Sequence, residues 1–164
     1  MSLESKEILE KISTILKEKS LKIATAESCT GGLISHTLTN ISGSSDYFER
    51  GIVSYSNNAK IELLGVPVEL LEKFGAVSWQ VAKAMADGVR KKSKVDIGIA
   101  TTGIAGPTGG TKEKQVGLVF IAISTKDSTQ VNKFRFSGSR LENKDSTLNA
   151  ALRMLIYLLT SKNR

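Results

Sequence analysis

The stretch Leu21-Lys-Ile-Ala-Thr-Ala-Glu-Ser-Cys-Thr-Gly-Gly32 decides the fold, because an apolar strand runs directly into a hydroxyl-rich cluster and two glycines. A segment with helical character follows at once, over residues 31–40. A strand, a tight glycine turn and a helix start bring side-chain hydroxyls and free backbone N–H groups to one point, where the helix dipole favours negative charge. The pattern predicts a site for an anion or an oxyanion.

A second stretch of the same kind covers residues 95–110, where an apolar strand ends in a glycine-rich loop. It is not a Walker loop, because no Gly-Lys-Ser/Thr sequence follows the glycines. Strand ends of this kind gather at one edge of a sheet and line a crevice there. We therefore expect the two stretches to share one cleft.

The rest of the chain alternates between helical and strand patterns. We expect helices at residues 3–19, 31–40, 57–64, 79–92 and 142–160, a short helix after Pro67, and strands at residues 21–26, 47–55, 95–101, 117–124 and 130–136. The short polar connection between the last two strands permits an antiparallel hairpin. The pattern predicts an α/β fold, a single domain over residues 1–164 built as a three-layer α/β/α sandwich with a mixed β-sheet.

Composition limits the classes of protein that fit. With 164 residues, of which 40% are hydrophobic and 24% charged, the chain has the size of one domain with a sizeable core. The charged, amphipathic first residues do not fit a signal peptide, and no apolar segment approaches membrane-spanning length. The single cysteine, Cys29, agrees with a reducing compartment. We expect a cytoplasmic protein with no membrane partner.

The net charge of +7 either favours a phosphate-bearing partner or reflects no more than a solvated basic surface. Aromatic residues make up only 5% of the chain, and they do not alternate with the lysines. A base-stacking platform for nucleic acid is therefore not expected. A small nucleotide and a solvated basic surface both remain open at this point.

The sequence has too few suitable residues for catalysis by a histidine base or by a bound metal. The single histidine, His36, lies about 12 Å along a helix axis from Ser28 at the usual rise per residue, too far to act as its base. One histidine and one cysteine, with no clustered carboxylates, leave too few ligands for a metal. We expect neither a metal nor a cofactor.

A serine nucleophile with a lysine base is the remaining possibility, since a desolvated amine can accept the hydroxyl proton. Lys60 is the candidate: it follows the second strand and lies 32 residues after Ser28. An ordinary surface lysine explains the same residue equally well. Cys29 is a rival nucleophile, because a thiol at a helix N-terminus has a lowered pKa, but a small buried packing residue is the preferred interpretation.

The sequence allows more than one role for the polar residues that we expect near Ser28 and Lys60. Glu27 could orient a base, bind an amide or cap the following turn. Thr101, Thr102 and the backbone N–H groups of residues 103–106 could line an anion pocket, or could equally form a tight turn.

Four motifs resemble those of the CinA C-terminal domain family, which includes stand-alone nicotinamide-nucleotide amidohydrolases. They occur in the family's order, at residues 26–32 (AESCTGG), 55–60 (YSNNAK), 75–78 (GAVS) and 102–107 (TGIAGP) with Gly109 and Gly110. The resemblance extends over about residues 21–159. Four motifs in order are much more specific than a single glycine loop.

The resemblance implies hydrolysis of nicotinamide mononucleotide to nicotinic acid mononucleotide and ammonia, in pyridine nucleotide salvage. It assigns Ser28 as the nucleophile and Lys60 as the base, without a metal, and implies a homo-oligomer. The substrate-binding residues that it implies are Glu27, Thr30, Gly31, Gly32, Tyr55, Thr102, Gly103, Gly106 and Arg140.

Four positions depart from the family's usual residues: Gln80 stands where Glu is usual, Gln115 where Pro is usual, Ser139 where Asp is usual, and Lys144 near a frequent Arg. These departures concern the phosphate and ribose contacts more than the nucleophile. The alternative is a non-catalytic nucleotide-binding or competence/damage-related interaction module that uses the same cleft. In that case Ser28 would only bind phosphate.

Overall fold

The computed structural model describes residues 3–161. The helices are α1 (Leu3–Glu18), α2 (Leu33–Leu38), α3 (Asn57–Leu64), α4 (Val68–Phe74), α5 (Trp79–Ser93) and α6 (Arg140–Ser161). The strands are β1 (Ile23–Glu27), β2 (Phe48–Val53), β3 (Ile97–Gly103), β4 (Leu118–Ser124) and β5 (Thr129–Arg135). A single 3-10 turn at Ser44–Asp46 precedes β2.

The strands form one mixed sheet in the order β2-β1-β3-β4-β5. β1 pairs in parallel with β2 and β3, and β4 pairs antiparallel with β3 and with β5. The predicted α/β class, mixed sheet and final hairpin are confirmed. Glu27, at the end of β1, pairs with Val53 of β2 and Thr101 of β3, so the carboxyl ends of three parallel strands meet at one edge.

Helices cover both faces of the sheet, because successive strand side chains point to opposite sides. On one face, Ile23, Ile99 and Ile121 share a core with residues of α1, α2 and α6. On the other face, Ala24 and Ala100 share a core with residues of α3, α4 and α5. The three layers are those predicted from the sequence.

Helix α5 lies very close to its neighbours. A Cβ atom on Gly98 of β3 would lie 2.4 Å from the carbonyl oxygen of Ala86, and one on Gly88 of α5 would lie 2.1 Å from that of Leu64. Both distances are shorter than a carbon–oxygen contact allows, so only glycine fits at either position. These contacts fix α5 against the sheet and α3 against α5.

Most predicted boundaries differ from the structure by one or two residues, and two of these shifts lie beside the glycine turns. The helix predicted over residues 31–40 begins only at Leu33, because Gly31 and Gly32 have φ values of +62° and +99° and form the turn before it. The strand predicted at residues 95–101 lies at Ile97–Gly103, which extends it toward the glycine loop. Among residues 3–161, no helix is long and apolar enough to cross a membrane.

Gly98→Ala should destabilise the fold, because the new methyl group would collide with backbone of α5 that cannot move without shifting the whole helix. We expect a loss of about 2 kcal/mol in the free energy of unfolding, measured by urea denaturation. Glu10→Ala, on the exposed side of α1, is the control and should change it by less than about 0.5 kcal/mol. Equal effects of the two substitutions would contradict the close-packing argument.

Candidate active site

Ser28 stands at the carboxyl end of β1, where the chain leaves the sheet. Its backbone N–H donates to the Thr101 carbonyl at 3.0 Å, and its own carbonyl accepts from the Gly31 N–H at 3.1 Å. The residue keeps 8% of its surface exposed. The strand ladder and the glycine turn therefore hold the Ser28 hydroxyl at the sheet edge, within reach of a ligand.

Lys60 lies directly behind this serine. Helix α3 carries it inward, and only 1% of its surface is exposed. Its Nζ contacts Ser28 Oγ at 3.1 Å and donates to the carbonyl oxygens of Ser54 at 2.9 Å and Tyr55 at 3.1 Å. The structure thus brings together the two residues that the sequence suggested as a pair, and the surface-lysine alternative does not describe Lys60.

The surroundings of Lys60 favour its neutral form. Burial lowers the pKa of the amine below its usual 10.5. Within residues 3–161 no carboxylate forms an ion pair with Lys60. A neutral amine has two N–H groups and one lone pair. With two N–H groups on the two carbonyls, the remaining direction at the nitrogen faces the Ser28 hydroxyl, 3.1 Å away.

Cys29 faces the apolar core on the side of α1, α2 and α6. Burial raises the pKa of its thiol to about 12, so the thiol stays protonated at neutral pH. Because the thiolate is the nucleophilic form, Cys29 is poorly suited to attack a substrate. The packing interpretation describes this residue.

Glu27 caps helix α2. Its carboxylate is 1% exposed and accepts four hydrogen bonds: from the N–H groups of Gly32 (3.1 Å) and Ile34 (3.0 Å), and from the N–H (2.8 Å) and hydroxyl (2.7 Å) of Ser35. A negative charge here is stabilised by the helix dipole. Of the roles open to Glu27 from the sequence, capping is the one its contacts fit. The cap also fixes the turn at residues 28–32.

Two of the implied binding threonines have their hydroxyls engaged inside the protein. Thr30 shares a 2.8 Å hydrogen bond with Thr101, and Thr102 donates to the Ala76 carbonyl at 2.8 Å. All three threonine side chains are buried. They connect the serine turn to β3, and β3 to the segment between α4 and α5. At Gly31, Gly32 and Gly103 the backbone lines the same edge.

Arg140, Tyr55 and Gly106 meet at the mouth of the site. The guanidinium of Arg140 donates to the Gly106 carbonyl at 2.8 Å and to the Tyr55 hydroxyl at 2.9 Å. Tyr55 itself is 59% exposed. At Gly106, φ is +86°, and a Cβ would lie 2.4 Å from a methyl carbon of Val116, so a side chain would not fit. Residues distant in the chain thus form one rim above Ser28.

Sequence reasoning missed Asn143, which holds the glycine loop in place. Its side chain is 1% exposed; the amide donates to the carbonyls of Ala105 (3.0 Å) and Gly138 (2.9 Å), and its oxygen accepts from the Gly138 N–H (3.0 Å). The available signal was an amide on the face of α6 that otherwise carries core residues. Lys144, next in the chain, extends its Nζ to within 3.7 Å of where a Cβ on Gly31 would lie.

Three of the four departures, Gln80, Gln115 and Ser139, are not buried, and neither is His36. Ser139 stands at the start of α6, where its N–H donates to the Glu142 carboxylate at 2.7 Å. Gln115 and His36 are exposed, and Gln80 is half-buried in the first turn of α5. His36 thus lies on the surface of α2, away from Ser28. Within residues 3–161, no three His, Cys, Asp or Glu side chains gather as a metal site.

Glu27→Gln should destabilise the fold and lower any activity of the site. The amide nitrogen would face backbone N–H donors, and the negative charge at the α2 N-terminus would be lost. We expect a loss of about 3 kcal/mol in the free energy of unfolding, measured by urea denaturation. Glu10→Gln on the exposed side of α1 is the matched control. If Glu27→Gln behaved like this control, the cap would not be structural.

Comparisons with known proteins show which family the chain resembles. The pattern of the CinA C-terminal domain family matches residues 5–159. A CinA-like protein of Syntrophus aciditrophicus is 53% identical over 145 residues, which are 88% of this chain and 34% of that protein. A CinA-like protein of Chlorobium limicola is 52% identical over 149 residues, 88% of this chain and 35% of that protein. The chain spans about a third of the length of the curated relatives it matches.

Solved structures show the same fold. The competence/damage inducible protein CihA from Agrobacterium tumefaciens superimposes with a TM-score of 0.92 at 44% identity, covering 96% of this chain and 99% of that one. A competence or damage-inducible protein from Enterobacter asburiae gives a TM-score of 0.92 at 34% identity, over 95% of this chain and 98% of that one. By sequence and by structure, the chain belongs to the CinA C-terminal domain family.

Proposed function

We propose that the protein is an amidohydrolase that deamidates nicotinamide mononucleotide, with Ser28 as nucleophile and Lys60 as base. The observation that carries the proposal is the 3.1 Å contact between Ser28 Oγ and the amine of a lysine that is 1% exposed. Burying the Lys60 amine costs free energy, and within residues 3–161 no ion pair offsets this cost. This is expected of a lysine that is kept neutral for proton transfer. The family includes amidohydrolases, which agrees with this chemistry.

The reaction follows two matched steps. Lys60 takes the Ser28 proton as Oγ attacks the carboxamide carbon, and the carbonyl electrons move onto oxygen. When the oxyanion collapses, the carbon–nitrogen bond breaks, and Lys60 returns the proton to the leaving ammonia. Water then attacks the resulting ester with Lys60 again as base. The acid product leaves, and Ser28 regains its proton.

The turn after Ser28 stabilises the oxyanion. The backbone N–H groups of Cys29 and Thr30 lie in this turn, beside the N-terminus of α2, where partial positive charge favours a developing oxyanion. Glu27 keeps this turn in place through its bonds to α2. The donors are therefore fixed before the substrate arrives.

Two cations support a phosphorylated substrate. Arg140 and Lys144 are one turn apart on α6, and both extend toward the serine turn and the glycine loop. Two positive charges beside glycine backbone suit a phosphate group, and the exposed ring of Tyr55 is available to the pyridine. We expect the enzyme to act in the cytoplasm, because its lone cysteine is a buried thiol.

The non-catalytic alternative uses the same cleft, with Ser28 only binding phosphate and Lys60 no more than a nearby cation. A lysine that only binds phosphate would present its charge to the ligand, whereas Lys60 lies behind Ser28 with its Nζ on two carbonyls. This position supports the base role over the binding role.

Ser28→Ala and Lys60→Ala should each remove most turnover, and the double variant should lose little more, because the two residues act as a unit. Lys60→Arg should fail as well, since arginine keeps the charge but cannot give up its proton. The measurement is ammonia release from nicotinamide mononucleotide. Cys29→Ser is the control and should keep substantial activity. Activity of Lys60→Arg beside an inactive Ser28→Ala would mean that the proton acceptor lies elsewhere.

The pH dependence follows from the direction of the Lys60 shift. Only the neutral amine is a base, and burial lowers its pKa below 10.5, so the neutral fraction increases as pH rises and saturates earlier than for an exposed lysine. We expect kcat to rise with pH and to level off below about pH 10, where exposed lysines titrate. Single-turnover rates across this range measure it. A rate that falls as pH rises would contradict the assignment.

We also propose that the protein forms a homo-oligomer. Exposed apolar side chains surround the mouth of the site: Val53 is 47%, Tyr55 59% and Leu141 70% exposed. Burial of such a patch against a second copy would remove apolar surface from water and close the rim above Ser28. Sedimentation at micromolar concentration should show a species larger than the 17.7 kDa chain, and Leu141→Glu should reduce its size. A monomer alone would refute this proposal.

A further inference from the structure

A cavity of about 400 Å³ lies at the opposite edge of the sheet from Ser28. Five aliphatic side chains form its apolar part: Leu21, Val95, Ile97, Leu158 and Leu159. The cavity adjoins the first residues of β1 and β3, whereas Ser28 follows the last residue of β1. Five residues of strand therefore separate the two sites by about 17 Å. Nothing in the proposed reaction uses this cavity.

Arg90 lines this cavity with a guanidinium that the fold holds in place. Its Nε donates to Ser124 Oγ at 3.0 Å, and Ser124 in turn donates to Asp87 at 2.6 Å. The bond at Nε fixes the plane of the group. Within residues 3–161, its two terminal amino groups have no hydrogen-bond acceptor. A fixed arginine with free terminal donors matches the geometry of a carboxylate or a phosphate.

The other charges of the cavity leave a small positive excess. Lys19 and Lys126 add two cations to Arg90, and Asp96 and Asp127 supply two carboxylates. Asp96 already accepts a 2.7 Å hydrogen bond from the Lys22 backbone N–H. Lys126 is exposed. This balance suits one anionic group and not a chain of phosphates.

We propose that this cavity binds a small amphipathic anion, with its apolar body against the aliphatic side chains and its carboxylate or phosphate on Arg90. The volume lies within the range of small-molecule sites. The apolar wall supplies affinity by burial, and the held arginine supplies specificity for charge. The inference is independent of the amidohydrolase proposal, because it depends on neither Ser28 nor Lys60.

The test uses four probes that separate the two requirements. Octanoate and octyl phosphate carry both an apolar body and an anion; octanol lacks the anion, and acetate lacks the apolar body. NMR titration of the labelled protein should show that at least one of the first two binds more than about tenfold tighter than octanol or acetate. The stronger of the two identifies the anionic group. Amide signals of Val95, Ile97 and Thr125 should shift, while those of Gly31 and Gly32 should not.

Three variants locate the binding. Arg90→Lys keeps the charge but loses the paired donors, and Lys126→Glu reverses an exposed charge at the rim; each should weaken binding about tenfold. Leu158→Trp should fill the mouth and abolish binding. Lys91→Glu, an exposed neighbour of Arg90 outside the cavity, is the matched control and should bind normally.

Three results would overturn the proposal: octanol binding as tightly as the anions, shifts confined to the serine turn, or equal weakening by Lys126→Glu and Lys91→Glu. Thermal unfolding of each variant shows whether it is folded. Lys126 and Lys91 are both exposed, so their comparison stands even where Arg90→Lys destabilises the protein.

Discussion

The amine of Lys60 is enclosed by the Ser28 hydroxyl and two backbone carbonyls, and the rest of the site depends on this enclosure. Within residues 3–161 no carboxylate pairs with this amine, and its burial lowers the pKa of Lys60 because a buried ammonium is costly. The two carbonyls satisfy its N–H groups and leave one direction for the lone pair. Two backbone carbonyls thus hold the Lys60 amine beside the Ser28 hydroxyl.

Holding the lysine there requires that α3 cannot move away from the sheet. Helix α5 packs beside α3 on the same face of the sheet, and the glycines at positions 88 and 98 let it approach the α3 backbone and β3 closely. Because the interior is closely packed, a shift of α5 would displace both α3 and β3. The apolar contacts far from Ser28 are therefore part of what positions Lys60.

Polar contacts fix the other half of the site. Glu27 binds the start of α2, the Thr30–Thr101 bond joins the serine turn to β3, and Asn143 holds the glycine loop against α6. Each contact satisfies buried backbone or hydroxyl groups that would otherwise be costly. These contacts join three segments that are far apart in the chain. Arg140 and Tyr55 are hydrogen-bonded to each other at the same edge of the sheet. A site prepared in this way loses little entropy when a ligand binds.

The sequence by itself determined the order and type of the helices and strands, because hydrophobic periodicity, glycine stops and serine caps are local signals. It also identified Ser28 and Lys60 as a possible pair by elimination, although it described Lys60 equally well as a surface lysine. Only the tertiary structure decided between the two, since burial depends on how α3 packs, and no local pattern encodes that. The same holds for Glu27 and Cys29: the cap and the buried thiol follow from where α2 and the core lie. Asn143 and the cavity beside Arg90 could not be predicted for the same reason, because both depend on contacts between residues that are far apart in the sequence.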